Sequence, residues 1–215
     1  DFVHDRADYH NFIALQAPMK ENIQLFWQMV LEQHVDQIVM LTELSEDDEE
    51  LCFPYWPERV NEKLCLENGI EVTLVEQNEL LTELKESIQM RQCKICRNGQ
   101  EKIVTHYWYR HWPDGAAPSQ TETVKTLIER VIKDKSLAKS TAPIVTHCAA
   151  GVGRTGVFIA LYHQWQRIQL NDQRMDLFHL VAYLRWLRHE MVGELSQYIF
   201  CDQVQTSFPS STDSH

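Results

Sequence analysis

The 215-residue chain predicts an α/β fold: a single domain with a central mixed, highly twisted sheet flanked by helices, and a strand-loop-helix at its active centre. Three observations carry that reading. A short buried strand runs directly into a glycine-bearing loop and a helix near residue 148, the middle third reads as antiparallel strands around an Asn-Gly turn, and the hydrophobic period becomes helical after residue 119. With 44% hydrophobic and 24% charged residues, the chain can fill one sizeable core and scarcely two.

The elements follow in order. Ile23, Phe26, Trp27, Val30 and Leu31 fall at helical spacing and predict an amphipathic helix beginning just after Pro18. Residues 38–41 read as a short buried strand. The segment 43–50 holds six carboxylates in eight residues, too self-repelling and too polar to bury, and is expected to be an exposed loop. Strands are expected at 53–56 and 70–75, followed by two longer extended runs that meet at Asn98-Gly99, a type I′ hairpin signature. Ser119 with Glu122 makes a capping-box pattern ahead of Val124, Leu127, Ile128, Val131 and Ile132, which trace one helical face. Residues 144–146 form the next strand, and Val157, Ala160, Leu161, Trp165 and Ile168 mark the helix beyond it. Helices are also expected at 177–187 and about 195–204. Trp27, Trp108, Trp165 and Trp186 read as core or half-buried packing residues. The domain is expected to span 1–205, and the Ser/Thr-rich stretch 206–215 to be a disordered tail.

Composition excludes several functions. A net charge of -11, from 31 acidic against 20 basic residues, argues against a sequence-blind nucleic-acid binder, which needs basic surface to release counterions. No run approaches the ~20 apolar residues of a membrane segment. The chain starts at Asp1 with no basic-plus-apolar leader, so it is expected to be a fragment. Six cysteines without framework spacing suit a reducing, cytoplasmic compartment. Cys93 and Cys96 form a lone CxxC in an extended segment that sends them to opposite faces, and the ten histidines show no HExxH grouping, so neither metal nor other cofactor is expected.

The chemistry concentrates in His147-Cys148-Ala149-Ala150-Gly151-Val152-Gly153-Arg154-Thr155-Gly156. A loop with glycines at 151 and 153, between a buried strand and a helix, can turn its N–H groups around one centre as an anion cradle. The helix dipole and the Arg154 guanidinium add positive field, and the guanidinium can hold two phosphate oxygens at once. That field favours the thiolate of Cys148 and makes it a nucleophile at the floor of the cradle. A lone cysteine beside a strand is more often a core residue. Seven specified positions at ~5% each, however, arise by chance about once in a billion start sites. A thiolate attacking phosphorus needs an acid to protonate the leaving oxygen. Trp112-Pro113-Asp114, followed by Gly115, Ala116 and Ala117, describes a loop able to hinge Asp114 over the pocket.

These residues carry a family resemblance. HCAAGVGRTG resembles the HCxxGxGR[S/T]G signature of the cysteine-dependent protein tyrosine phosphatases, and HWPDGAAPS resembles their mobile WPD loop. FIALQAPM, CFPYWP, IVTHYWYRHW and SQYIFCDQV are similar to further stretches of the same family, and QAPM, LFWQMV and IVMLTEL resemble the bracovirus subgroup. The resemblance implies hydrolysis of phosphotyrosine in proteins through a phosphocysteine. Cys148 would attack phosphorus, and Arg154 with the loop 149–153 (Ala149, Ala150, Gly151, Val152, Gly153) would hold the oxygens. Asp114 would act as acid and then as base, and Thr155 would donate to the departing sulfur. His147 would orient the loop, Trp112 and Pro113 would carry Asp114, Gln197 would lie at the substrate, and Glu46 would pair with Arg154. The partner implied is a phosphotyrosine protein, and the address is a host-cell cytoplasm if the chain is viral.

The sequence also departs from the family's pattern. Gly193 stands where the C-terminal QTxxQYxF motif has its first Gln, which positions the hydrolytic water, and only Gln197 survives. Leu51 replaces a lysine, Gly115 replaces a phenylalanine with a looser closed loop expected, and the family's NRY recognition loop should lie before Asp1. Two alternatives therefore stand beside an active tyrosine phosphatase: an impaired phosphotyrosine-binding or substrate-trapping module, and a dual-specificity phosphatase. The WPD tripeptide and the long antiparallel middle section speak against the second.

Overall fold

A computed structural model describes residues 11–81, 87–118, 121–170 and 176–208. A seven-stranded mixed sheet has the order β1-β9-β2-β8-β7-β6-β5. Its strands are β1 (Phe12–Leu15), β2 (Gln37–Met40), β5 (Lys63–Cys65), β6 (Glu71–Leu81), β7 (Ser87–Arg97), β8 (Gln100–Tyr109) and β9 (Ile144–His147), while β3 (Ser45–Glu46) and β4 (Glu49–Glu50) form a separate small hairpin. The helices are α1 (Ile23–Glu32), α2 (Thr121–Leu137), α3 (Gly153–Gln169), α4 (Leu177–Leu187) and α5 (Leu195–Thr206).

Strands β1, β9, β2 and β8 run parallel, in a register that sets Leu15 and Met40 beside His147 and Trp108 beside Met40. Parallel strands share one carboxyl end. The chain segments that leave β1, β2, β8 and β9 therefore all start from the same edge of the sheet, where α/β folds collect their sites. Every residue of β2 and β9 is buried, the polar Gln37, Thr146 and His147 included, as in a parallel sheet covered on both faces.

Alternation along β2 divides the core. Val39 and Leu41 face the larger cluster beneath α2, α3, α4 and α5, whereas Ile38 and Met40 face a second cluster with Trp27, Val30 and Tyr55. Helix α1 buries Ile23, Phe26, Trp27 and Val30, the stripe its spacing predicts. It ends in a Schellman motif, with Val35 N–H on Val30 O at 2.9 Å and His34 N–H on Leu31 O at 3.1 Å, and His34 supplies the positive φ of 54°. The antiparallel half turns at Asn98 and Gly99, φ 52° and 79°, the type I′ geometry their identities predict.

Several expectations are corrected. No strand forms at 53–56, because Pro54 lacks a ladder donor and Pro57 closes the stretch. The acidic segment is exposed but not irregular, because Asp47 and Asp48 adopt φ 48° and 66° and close the β3–β4 hairpin. The tail does not begin at 206, since Thr206 ends α5 and Phe208 is buried in the larger cluster. Residues 209–215 and the Ser119 cap lie outside the described residues. Trp186 is 79% exposed beside Tyr183, because α4 carries apolar side chains all round and only Leu177, Leu180, Val181 and Leu184 meet the core.

Helix α3 has twelve buried residues and is a core helix rather than an amphipathic one. Phe158 on it is fully buried and meets Phe12 edge-on at 6.3 Å. Phe158→Ala is expected to destabilise the domain by ~3–5 kcal/mol at unchanged denaturant slope, read by urea unfolding.

Candidate active site

The loop from Cys148 to Val152 joins β9 to α3, and its shape is set by what its carbonyls are tied to. His147 O accepts from Leu41 N (2.9 Å), Ala149 O from Ala17 N (2.9 Å), and Val152 O from Gly156 N (2.9 Å) and Val192 N (3.3 Å). Arg188 donates from Nε to Gly151 O at 2.9 Å and from Nη2 to Ala150 O at 3.2 Å. The Cys148 carbonyl faces His147 Nδ1 at 3.3 Å. Because C=O and N–H of a trans peptide point in opposite directions, carbonyls tied outward leave the amides turned inward. Gly151 takes φ +73°, and an added Cβ there would stand 2.1 Å from Leu15 O. Only glycine fits that contact.

Cys148 is buried, and its Sγ receives Gly151 N–H and Thr155 Oγ1–H, each at 3.2 Å. The sulfur is thus the acceptor of two hydrogen bonds at the floor of the loop. Arg154 is buried on the first turn of α3. Its Nη1 donates to Trp112 O at 2.9 Å, while Nε and Nη2 have no aligned acceptor among the described residues. Those two atoms form a guanidinium edge of the kind that can hold two oxygens of an oxyanion. Asp114 Oδ1 stands 2.8 Å from Nη2, with its carboxylate 59% exposed.

Trp112 fastens the loop that carries Asp114. It is buried against Tyr109 and Phe200 and donates from Nε1 to Ala116 O at 3.0 Å. Pro113 is exposed. Gly115 sits at φ +64° with open space around it, so in this conformation a phenylalanine would be strained and the glycine suits the turn.

The structure thus brings Cys148, Arg154, Thr155, His147, Trp112 and Asp114 together. Gln197 is buried on α5, and its Nε2 would lie 2.9 Å from a Cβ built on Gly153, which places its amide against the loop. Glu46 does not join them. It is exposed on β3, and the carboxylate opposite Arg154 is that of Asp114, because the β3–β4 hairpin holds Glu46 opposite Glu49. Leu51 is half-buried. Two arginines escaped the sequence reading: Arg188, which ties two loop carbonyls, and Arg185, which ties Met191 O (2.9 Å) and Val192 O (2.6 Å). Their spacing of three on α4 and at its end, just before the Gly193 stretch, was the available signal.

Behind the loop, His147 Nε2 meets Tyr55 Oη at 2.8 Å. Burial drives the His147 imidazole from 6.5 down to about 4, with Arg154 adding to the effect and the Cys148 carbonyl opposing it. Among the described residues no group of three or more His, Cys, Asp or Glu side chains converges as metal ligands would. No helix among them is long and apolar enough to cross a membrane.

The buried neutral imidazole makes stability depend on pH. A folded value below the unfolded one means the unfolded state binds the proton first, so the full contribution is present above pH 6.5 and is lost as pH falls toward about 4. His147 alone is expected to cost on the order of 3 kcal/mol across that window. Urea unfolding between pH 7 and pH 4 should show a loss that His147→Gln reduces.

A family model, "Protein-tyrosine phosphatase", matches residues 1–207. The chain is 36% identical over 206 residues to Phosphatidylinositol phosphatase PTPRQ of Rattus norvegicus, covering 96% of this chain and 9% of that protein. It is 34% identical to Receptor-type tyrosine-protein phosphatase R of Rattus norvegicus (93% and 29%) and 33% identical to Receptor-type tyrosine-protein phosphatase epsilon of Homo sapiens (94% and 28%). It therefore spans less than a third of the length of each. The cradle around Cys148, the Arg154 guanidinium beside it and these matches agree, and the chain belongs to the protein-tyrosine phosphatase family.

Proposed function

We propose that the domain hydrolyses phosphotyrosine in proteins through a phosphocysteine intermediate. The observation that carries this is the meeting of a doubly donated Cys148 sulfur with a guanidinium whose two-pronged edge, Nε and Nη2, has no aligned protein acceptor. A phosphate dianion would take that edge from Asp114. The Cys148 thiolate would then form the S–P bond as the tyrosine oxygen leaves with a proton from the Asp114 carboxyl. The developing charge on the equatorial oxygens would fall on the inward amides and Arg154. In the second step Asp114 would take a proton from water as its oxygen bonds phosphorus and the S–P bond breaks, with Thr155 Oγ1–H already on the sulfur.

Gly193 favours one further reading, a slow second step and a trapping role, because a glycine cannot orient water through an amide. The placement of Gln197 against Gly153 supports turnover instead. The name of one relative raises phosphoinositides, but the exposed carboxylates of the β3–β4 hairpin follow β2 from the site's edge of the sheet and would oppose a polyanionic headgroup. The likeness to the bracovirus subgroup and a cytoplasmic address rest on sequence, and six unpaired cysteines support a reducing compartment.

Purified protein is expected to release phosphate from a phosphotyrosine peptide in preference to phosphothreonine peptide or phosphatidylinositol phosphate. Cys148→Ser should abolish release, and Asp114→Asn should lower kcat by ~10²–10⁴. Linear time courses without a stoichiometric burst would decide for turnover over trapping. Activity untouched by Cys148→Ser would reject the proposal.

A further inference from the structure

A cavity of about 430 Å³ lies between β1, α3 and α4, within the size range of small-molecule sites. Its origin is a packing mismatch at the end of the described sheet, where β1 is the last strand. Phe12 turns its ring edge-on to Tyr162 at 5.0 Å and to His163 at 5.4 Å, and so packs toward α3. Ala14, two residues on and facing the same way, is too small to fill the remaining space beneath α4. Leu180, Leu184 and Leu187, at i, i+4 and i+7, line the α4 side, and Ile159 lines the α3 side. Leu187 is 57% exposed, so the cavity opens to solvent at that end.

The charge of the lining departs from that of the chain. Of 31 Asp and Glu residues none lines this cavity, and its one Lys or Arg is Arg188. Arg188 uses Nε on Gly151 O and Nη2 on Ala150 O, while among the described residues Nη1 has no acceptor and no carboxylate pairs with the guanidinium. Tyr183 in the same wall makes no hydrogen bond among the described residues. A guanidinium only donates, and its planar edge matches the two oxygens of a carboxylate. Branched aliphatic walls give close contact to a flexible alkyl chain and no flat slot for a ring. An alkylammonium would meet the like charge of Arg188, and an uncharged alcohol would forgo the charge-assisted hydrogen bond.

We propose that this cavity binds a medium-chain alkyl carboxylate, with its chain along Leu180, Leu184 and Leu187 and its head on Arg188, and that occupancy weakens anion binding at the Cys148 loop. Arg188 is the link between the two sites. Its positive charge stands against the carbonyls of Ala150 and Gly151, in the loop whose amides turn inward. A carboxylate on Nη1 neutralises that charge and leaves both tethers in place. The loop then keeps its shape and loses part of its positive field.

Calorimetric titration of the purified protein with decanoate is expected to show saturable binding, with decan-1-ol on the order of tenfold weaker. Ala14→Leu, which fills the cavity from β1, should abolish it. If Ala14→Leu does not fold, the exposed position 187 supplies a test by sign: Leu187→Lys should bind decanoate on the order of tenfold more tightly than Leu187→Glu. Equal binding of decanoate and decan-1-ol, equal binding by the two Leu187 variants, or undiminished binding by a folded Ala14→Leu would overturn the proposal. At constant ionic strength, inorganic phosphate should raise the decanoate Kd to a plateau on the order of fivefold higher. A rise without plateau would put decanoate on Arg154 in the loop, and a flat Kd in protein that binds phosphate would break the link through Arg188. Either result rejects the proposal. The coupling rests on the loop being the anion site assigned above, and phosphate titrated alone separates the two failures, because protein that binds decanoate but no phosphate rejects that assignment and leaves the cavity site standing.

Discussion

The interaction on which the rest depends is the outward anchoring of six consecutive carbonyls, His147 through Val152. A loop free to relax would turn some carbonyls toward its centre, and a single inward oxygen would repel the anion the other amides attract. The anchors come from the whole domain: Leu41 beyond β2, Ala17 beyond β1, Arg188 at the end of α4, Gly156 within α3 and Val192 before α5. The parallel register of β1, β9 and β2 brings the first two to the same sheet edge as His147. Helix packing around the larger core delivers the others. The fold is in this sense the outer half of the cradle.

The electrostatics follow from that construction. The chain carries 31 acidic residues against 20 basic ones, so an anion site needs positive groups that the bulk charge does not cancel. Burial supplies the separation. Arg154 is 1% exposed and its charge is directed at a small volume, whereas the carboxylates of the β3–β4 hairpin are solvated and screened within about a Debye length. Among the described residues the one carboxylate that reaches Arg154 is Asp114, and it arrives on a loop whose own anchor, Trp112, both donates from its indole and lends its carbonyl to Arg154. The Asp114 carboxylate and the Arg154 guanidinium are thereby joined through one tryptophan.

Most of this was legible where the physics is local. Helical stripes in α1 and α2, the Asn98-Gly99 turn, and the strand-loop-helix around Cys148 depend on neighbours within a few residues, and sequence spacing exposes them. The stretch 53–56 was misread because its aromatics look like a strand face, while Pro54 and Pro57 deny the ladder its donors. Trp186 was misread because helical spacing does not say which side of an all-round apolar helix meets the core. The links from Tyr55 to His106 and to His147 span 51 and 92 residues, and no period or motif reports a contact at that range. Glu46 follows the same rule in reverse: a family position was legible, but its partner depended on where a hairpin closes.

The surviving amide near the loop has a defined sense. Glu194 N–H points to Gln197 Oε1 at 3.4 Å within the capping box of α5, and Nε2 is the nearer of the two amide ends to Gly153. An NH₂ group can donate to a phosphoryl or water oxygen but cannot accept a proton from water. In the proposed hydrolysis Gln197 therefore serves to hold an oxygen, and the acceptor for the water's proton has to be Asp114. Gly193 offers no amide of its own, and the carbonyl anchors of the loop do not involve it. In the proposed hydrolysis the glycine would bear on where the water sits and would leave the binding of the dianion to Arg154 and the loop amides.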